Sequence, residues 1–482
     1  MTGTAVSGEV AKRIERIEHG LHVMGTPGGR PIGCARLRER MEHYAIPGVS
    51  IAVINNLQIE WAKGYGTLGS GKPAPVTPES LFQAASISKP ITAVATLRLV
   101  EQGHLDLDED VNTYLTSWKV PANDGWQPRV TLRQLLSHSA GMTVHGFPGF
   151  LRDQEQPSLL QVLEGAKPSN TAPIRVDTLP GTQFRYSGGG YSVLQQLFVD
   201  VTGKRFAELM QDLVLEPLGM EHSLFEQPLS DAQQTDAAAG HRWSGEPIPG
   251  GGCVYPQLAA AGLWTTPSDL VRFALDMQLA RAGRPSRLLS SAMVNELLCP
   301  QLDEPVGLAG LSPKGRIGLG ILLDGTGESS RFLHAGGNQG FISWLVGYRD
   351  TGIGAAVMTN ADSGAVLIAE ILAAIAEAYD WPGYRSWHNP LVTIHPSTVD
   401  TYVGAYELKS GQRLLVSRRD GGLVVQLESQ DPLDLYPESE SRFVATAIDL
   451  QINFDRADDD QVTGLRLRQN GREQPATLNL ER

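Results

Sequence analysis

The chain has 482 residues, enough to bury a large core without disulfides or structural metals. Hydrophobic residues make up 41% and charged residues 19%, a balance that excludes a disordered or fibrous chain. With 40 basic against 53 acidic side chains the formal net charge is −13, so neither nucleic acid nor an anionic membrane surface is an expected partner.

Residues 8–22 read as a short charged helix and 36–46 as a second, which is stopped at Pro47-Gly48. The runs VSIAVI (49–54) and LQIEWAKGYG (57–66) flank Asn55-Asn56 and predict a β-hairpin. A helix follows from Ser86 to about Gln102, with Pro90 in its first turn and Gly103 just past its end. Further helices are expected at 131–137, 191–202, 205–213 and 267–281. The Gly- and Pro-rich stretch 143–180 reads as a lid. Strands return at GLGILL (318–323), ISWLVGY (342–348) and IGAAVMT (353–359), before an apolar helix from Ala365 to Tyr379. Strands at both ends with helices between them predict an α/β or α+β domain whose sheet is completed by both ends.

After residue 390 the texture changes. RLLVSRRDGGLVVQL (413–427) alternates around Asp420-Gly421-Gly422, and LRLRQNGREQPATLNL (465–480) around Asn470-Gly471. Helical periodicity is absent here. The expected division is therefore 1–390 as one domain and 391–482 as a small all-β barrel or curled sheet. The acidic run Asp455–Asp460 reads as a solvated turn.

Several motifs carry no chemistry. Gly64-x-Gly66-x-x-Gly69 matches a dinucleotide fingerprint, and Gly66 to Lys72 nearly matches a P-loop. Both need a helix directly afterwards, and TLGSGKPAPVTP cannot supply one. No HExxH, no zinc-type cysteine pair and no GxSxG elbow occurs, so neither metal nor cofactor is expected. Cys34, Cys253 and Cys299 are odd in number and far apart, which fits a reducing compartment. The first twenty residues lack an apolar signal segment and no apolar run reaches 18 residues; a cytoplasmic protein is expected.

The productive signal is Ser86-Ile87-Ser88-Lys89 at the start of a helix. A spacing of three puts Ser86 and Lys89 on one helical face. The helix N-terminus favours an alkoxide at Ser86 and an oxyanion held by its own N–H. A buried lysine, its pKa lowered by desolvation, can take the serine proton. Two more stretches join it: Tyr186-Ser187-Gly188 in a loop entering a helix, and His334-Ala335-Gly336 in a loop or edge strand.

With these residues the chain resembles the serine β-lactamase-like, penicillin-binding superfamily. It is most similar to the class C β-lactamase branch, which also holds D-aminopeptidases, DD-carboxypeptidases and family VIII esterases. SISK resembles the S-x-x-K motif, YSG the Tyr-x-Asn motif and HAG the Lys/His-Thr/Ser/Ala-Gly motif. LLSHSAGM (135–142), EPLGMEHSLF (216–225) and AAGLWTTPSDLVRF (260–273) agree with it, so the likeness covers about residues 36–380. The C-terminal part resembles lipocalin-like extensions of some peptidase members.

The resemblance implies that Ser86 is the nucleophile of an acyl-enzyme and that Lys89 holds or accepts its proton. Tyr186 would relay a proton to the leaving group, and His334 would face it from a strand. The N–H groups of Ser86 and Gly337 would form the oxyanion hole. Which of Lys89 and Tyr186 is the base stays open. Gly188 stands where relatives have an Asn whose carboxamide bonds a substrate amide, and Ala335 stands where a hydroxyl often helps bind a carboxylate. Both departures point to an esterase, or a D-amino-acid-type peptidase or amidase, for a less charged small molecule or short peptide, with weak or no β-lactamase activity. An acyltransferase using the same acyl-enzyme and a non-catalytic binding protein are the competing readings. A homo-oligomer is compatible with all three. His138 and Ser139 are expected to pack the loop under the site, Trp264 and Trp344 to line core or pocket wall, and Cys253 to be an inert thiol.

Overall fold

The computed structural model describes residues 8–21, 34–306 and 314–384, and most of 394–479. Its first hairpin joins β1 (Gly48–Asn55) to β2 (Gln58–Gly69), and β3 (Lys72–Pro75) folds back on β2. The turn lies one residue later than the Asn-Asn pair suggested. Asn56 and Leu57 both take positive φ, and the Leu57 N–H donates to the Gly352 carbonyl at 3.0 Å. The glycines that imitate nucleotide motifs lie in β2 and its turn into β3, with no helix after them.

Two short strands, β4 (Phe82–Gln83) and β5 (Trp264–Thr265), pair with each other. The second half of the main sheet comes from β6 (Arg316–Ile317), β7 (Leu322–Asp324), β8 (Arg331–Asn338), β9 (Phe341–Tyr348) and β10 (Gly354–Thr359). The order is β3-β2-β1-β10-β9-β8-β7-β6, antiparallel throughout, so both ends of the domain do meet, at β1 and β10. GLGILL is not one strand. It turns sharply between β6 and β7, where Gly320 has φ +79°, and a Cβ there would lie 2.5 Å from Cβ of Ala93. A left-handed residue packed against a helix admits only glycine.

Alternation along β1 explains the layering. Ala52 and Ile54 enter one apolar core; Val49, Ile51 and Val53 enter the other. The first core holds the helices Ser88–Glu101, Gly188–Thr202 and Pro267–Arg281. The second holds Gly8–His19, Leu37–His43 and the C-terminal Gly364–Ala378. In that second layer Arg40 grips the Glu370 carboxylate with two bonds, 2.8 and 3.0 Å, and Tyr44 adds a third at 2.9 Å. The Glu370 side chain is fully buried. Glu370→Ala would leave the Arg40 guanidinium buried without its counter-charge. We expect about 3–5 kcal/mol of destabilisation by urea unfolding. A loss below 1 kcal/mol would show that this pair does not hold the layer together.

From Gly404 onward eight antiparallel strands follow in chain order and close into a barrel, with β11 (Gly404–Leu408) paired to β18 (Arg472–Asn479). Each strand neighbours the next in sequence, the up-and-down pattern that leaves no free edge. Its core stacks Tyr402 on Phe454 at 4.1 Å, with Phe443 edge-on to both. A short helix, Pro396–Asp400, precedes the barrel and places Val399 in that core. At five residues it is too short to leave a periodic signal. Both expected hairpins form, Arg413–Arg419 with Gly422–Leu427 and Val462–Gln469 with β18. Of the acidic run, Asp455 is in a strand rather than a turn and bonds Arg466 at 2.9 Å, whereas 458–460 lie outside the described residues.

Candidate active site

Ser86 lies in a single 3-10 turn, Ala85–Ile87, that runs directly into the helix Ser88–Glu101. Ala85 before it is buried at φ +49°, an unusual conformation for a residue with a Cβ. The turn is held from three sides. The Ser88 hydroxyl donates to the Ala85 carbonyl (2.6 Å) and accepts from the Leu263 N–H (3.0 Å). Ser343 of β9 donates to the Ala84 carbonyl at 2.8 Å. Strand β8 presses on the same peptide at Gly336, where a Cβ would come within 2.1 Å of that carbonyl oxygen. Ser86 is thus fixed against the strand carrying Gly337 and His334, and among residues 81–90 it is the one that is not buried.

Lys89 is buried one turn on. Its Nζ is 3.0 Å from Ser86 Oγ and 2.8 Å from the Ala260 carbonyl, and it sits over the rings of Tyr186 (4.9 Å) and Tyr191 (5.6 Å). Burial lowers its pKa to about 7. A lysine of this kind is substantially neutral near pH 7 and can accept a proton from a hydroxyl it touches.

Tyr186 enters from the other wall, just ahead of the helix Gly188–Thr202, whose N-terminus the Ser187 hydroxyl caps through the Gly190 N–H at 3.1 Å. Its hydroxyl hydrogen-bonds Ser86, and burial pushes its pKa up from the ordinary tyrosine value. His334 is not in a loop: it is in β8, paired with Leu345 of β9. Strand β7 pairs β8 only from Arg331 to Leu333, so from His334 onward that side of β8 has no partner strand among the described residues. His334 donates Nδ1–H to its neighbour's carbonyl (2.7 Å), leaving Nε2 as an acceptor, and burial with nearby Lys89 pushes its pKa down to about 3. The imidazole is therefore neutral and offers no charge to a substrate carboxylate.

Of the six sequence candidates, Ser86, Lys89, Tyr186 and His334 converge. Gly337 is exposed on β8 beside them. Gly188 is buried, and a Cβ there would meet Phe147 Cε2 at 2.8 Å. His138 lies under the site: its ring stacks on Tyr186 at 4.3 Å, and its Nδ1 accepts the Ser187 N–H at 3.1 Å. Burial lowers its pKa well below the ordinary histidine value. Ser139 is buried and paired with Ser137 at 2.9 Å. Trp264 packs edge-on against Phe341, and Trp344 is half-buried against the second core. The Cys253 thiol is buried and its pKa is raised, which disfavours the thiolate.

Sequence reading missed His145. Its ring is 5.0 Å from that of Tyr186, its side chain bonds the Tyr186 backbone, and partial desolvation, followed by nearby Lys89, lowers its pKa. It falls in the Gly/Pro-rich stretch, where no periodicity marks one residue above another. Among the described residues no group of three or more His, Cys, Asp or Glu could hold a metal ion. No helix among them is long and apolar enough to cross a membrane.

Comparison with known proteins agrees with this fold. Protein flp of Staphylococcus aureus (strain N315) is 28% identical over 232 residues, 46% of this chain and 42% of that protein. The match thus spans less than half the length of that relative. Among solved structures, an octameric penicillin-binding protein homologue from Pyrococcus abyssi superposes with a TM-score of 0.63 at 22% identity. It covers 92% of this chain and 98% of its own. SurE with D-Leu gives 0.59 at 24% identity, over 92% and 97%. At these identities the likeness is one of fold. Residues 389–481 match a domain of unknown function, DUF3471. The Beta-lactamase family model matches residues 35–380, well over half of the chain, and the chain belongs to that family.

Proposed function

We propose that this chain is a serine hydrolase that cleaves an ester or amide with an uncharged acyl group through an acyl-enzyme on Ser86. The observation that carries the reading is the buried Lys89 amine, 3.0 Å from Ser86 Oγ and held at a pKa of about 7 by desolvation. Lys89 takes the Ser86 proton as Oγ attacks the carbonyl carbon. The tetrahedral oxyanion lies between the N–H groups of Ser86 and Gly337. Tyr186, bonded to Ser86 and protonated, relays a proton to the leaving group. Water then opens the acyl-enzyme, its proton going back through the same set.

The neutral His334 and Ala335 beside it support a substrate without a carboxylate next to the scissile bond, and Gly188 in place of a carboxamide supports one without an acyl-amino group there. Penicillin turnover is expected to be weak or absent. Intact-protein mass after a fluorophosphonate probe tests the nucleophile. One adduct on wild type and none on Ser86→Ala is expected; a folded wild type without an adduct rejects the reading.

We also propose that the chain self-associates, on its likeness in fold to an octameric homologue. Light scattering should give a mass that is a multiple of 52.1 kDa. A monomer at every concentration tested rejects this.

A further inference from the structure

The space beyond Gly188 is occupied by another part of the chain. From that residue the backbone of 144–150 runs as a strap across to the far wall. At its near end the N–H groups of Gly188 and Gly189 donate to the carbonyls of His145 and Val144, both at 3.0 Å. At its far end Phe150 and Val254 exchange two backbone bonds of 3.0 and 2.7 Å. Between them Gln339, the residue after β8, donates to the Pro148 carbonyl at 3.1 Å, and Asn170 donates to the Gly149 carbonyl at 2.8 Å. The strap therefore ties the Tyr186 wall to the end of the strand bearing Gly337, the two walls between which Ser86 opens. Gly149, at φ +78° with a would-be Cβ 2.7 Å from Tyr255, lets it bend there.

Phe147 is the apolar side chain in the middle of this span. It packs on the first core on one side and is only partly buried. Its ring fills the room that a side chain at 188 would take. The two positions are thus complementary: glycine at 188 admits the ring, which puts an apolar group two residues from Tyr186.

We infer that Phe147 sets the length of acyl group this site accepts, closing the acyl side of the cleft into a short apolar pocket. This rests on the hydrolase reading above and narrows it to esters or amides of short, uncharged acids. An apolar wall discriminates by volume: each methylene it must exclude alters the specificity ratio by roughly tenfold or more. It cannot offer a hydrogen bond to an acyl-amino group, so such substrates gain nothing at this wall.

The test compares the full-length wild type, Phe147→Ala and Phe147→Leu on p-nitrophenyl acetate, butyrate and octanoate. Each protein is also labelled with a fluorophosphonate. In wild type kcat/KM should fall from acetate to octanoate. The octanoate-to-acetate ratio should rise roughly tenfold or more in Phe147→Ala and by less in Phe147→Leu. An unchanged or lower ratio in proteins that still label at Ser86 overturns this inference and leaves the hydrolase reading standing. A folded wild type that neither labels nor cleaves any of the esters overturns both. If Phe147→Ala does not fold, the Phe147→Leu ratio decides alone.

Discussion

Ser86→Ala should lower kcat/KM toward an activated ester by roughly 10⁴-fold or more, with little change in thermal stability. The size follows from the chemistry. Without Oγ no acyl-enzyme can form, and what remains is water attacking a carbonyl polarised by the proposed oxyanion donors. Stability should hold because Ser86 is not buried, unlike the residues on either side, and the turn is anchored by Ser88 and Ser343 rather than by Ser86 itself. The positive φ at Ala85 is unaffected. The check is steady-state kinetics beside a thermal melt of the same preparation. A residual rate within tenfold of wild type would mean that the ester is cleaved elsewhere.

Lys89→Met should cost roughly 10²–10⁴-fold in the acylation rate, the usual range for removing a general base. Methionine keeps most of the buried volume and removes the amine. The wild-type pH profile gives the second arm. In the proposed mechanism the competent form is the neutral amine, so activity should rise with pH. With the pKa near 7, acylation should climb about tenfold per unit below pH 6 and level off above about pH 8. His334, pushed down to about 3, is already neutral across that window and adds no step. Tyr186 is raised instead, so a phenolate base would make the rate keep rising beyond pH 9. A plateau by pH 8, lost in Lys89→Met, identifies the lysine as base. A continued rise in both proteins assigns that role to the tyrosine.

How far these features could be read from the chain depends on their range. The hairpin of β1 and β2, the helix after Ser86 and the two Gly-containing hairpins of the barrel are local. Turn chemistry and side-chain period act over a few residues, and the folded protein follows them. The reach of Lys89 to Ser86 belongs to the same class, because a spacing of three on a helical turn closes the contact. The break in GLGILL does not. There Gly320 takes a positive φ and packs against Ala93 of a distant helix, where a Cβ would not fit.

The amino-acid order by itself therefore determined the local hairpins and the helix after Ser86, the strand-helix-strand plan with an all-β end, and the serine, lysine, tyrosine and histidine that the fold brings together. Only the tertiary structure decided their electrostatic state and the shape of the cleft. Lys89 is brought near pH 7 by burial, with its amine against the carbonyl of Ala260, 171 residues on, and over the ring of Tyr186. His334 loses its charge through burial beside that lysine. Phe147 reaches Gly188 only when the strap is drawn across the two walls. Desolvation and volume exclusion depend on everything packed around an atom, and those neighbours come from segments far apart along the chain.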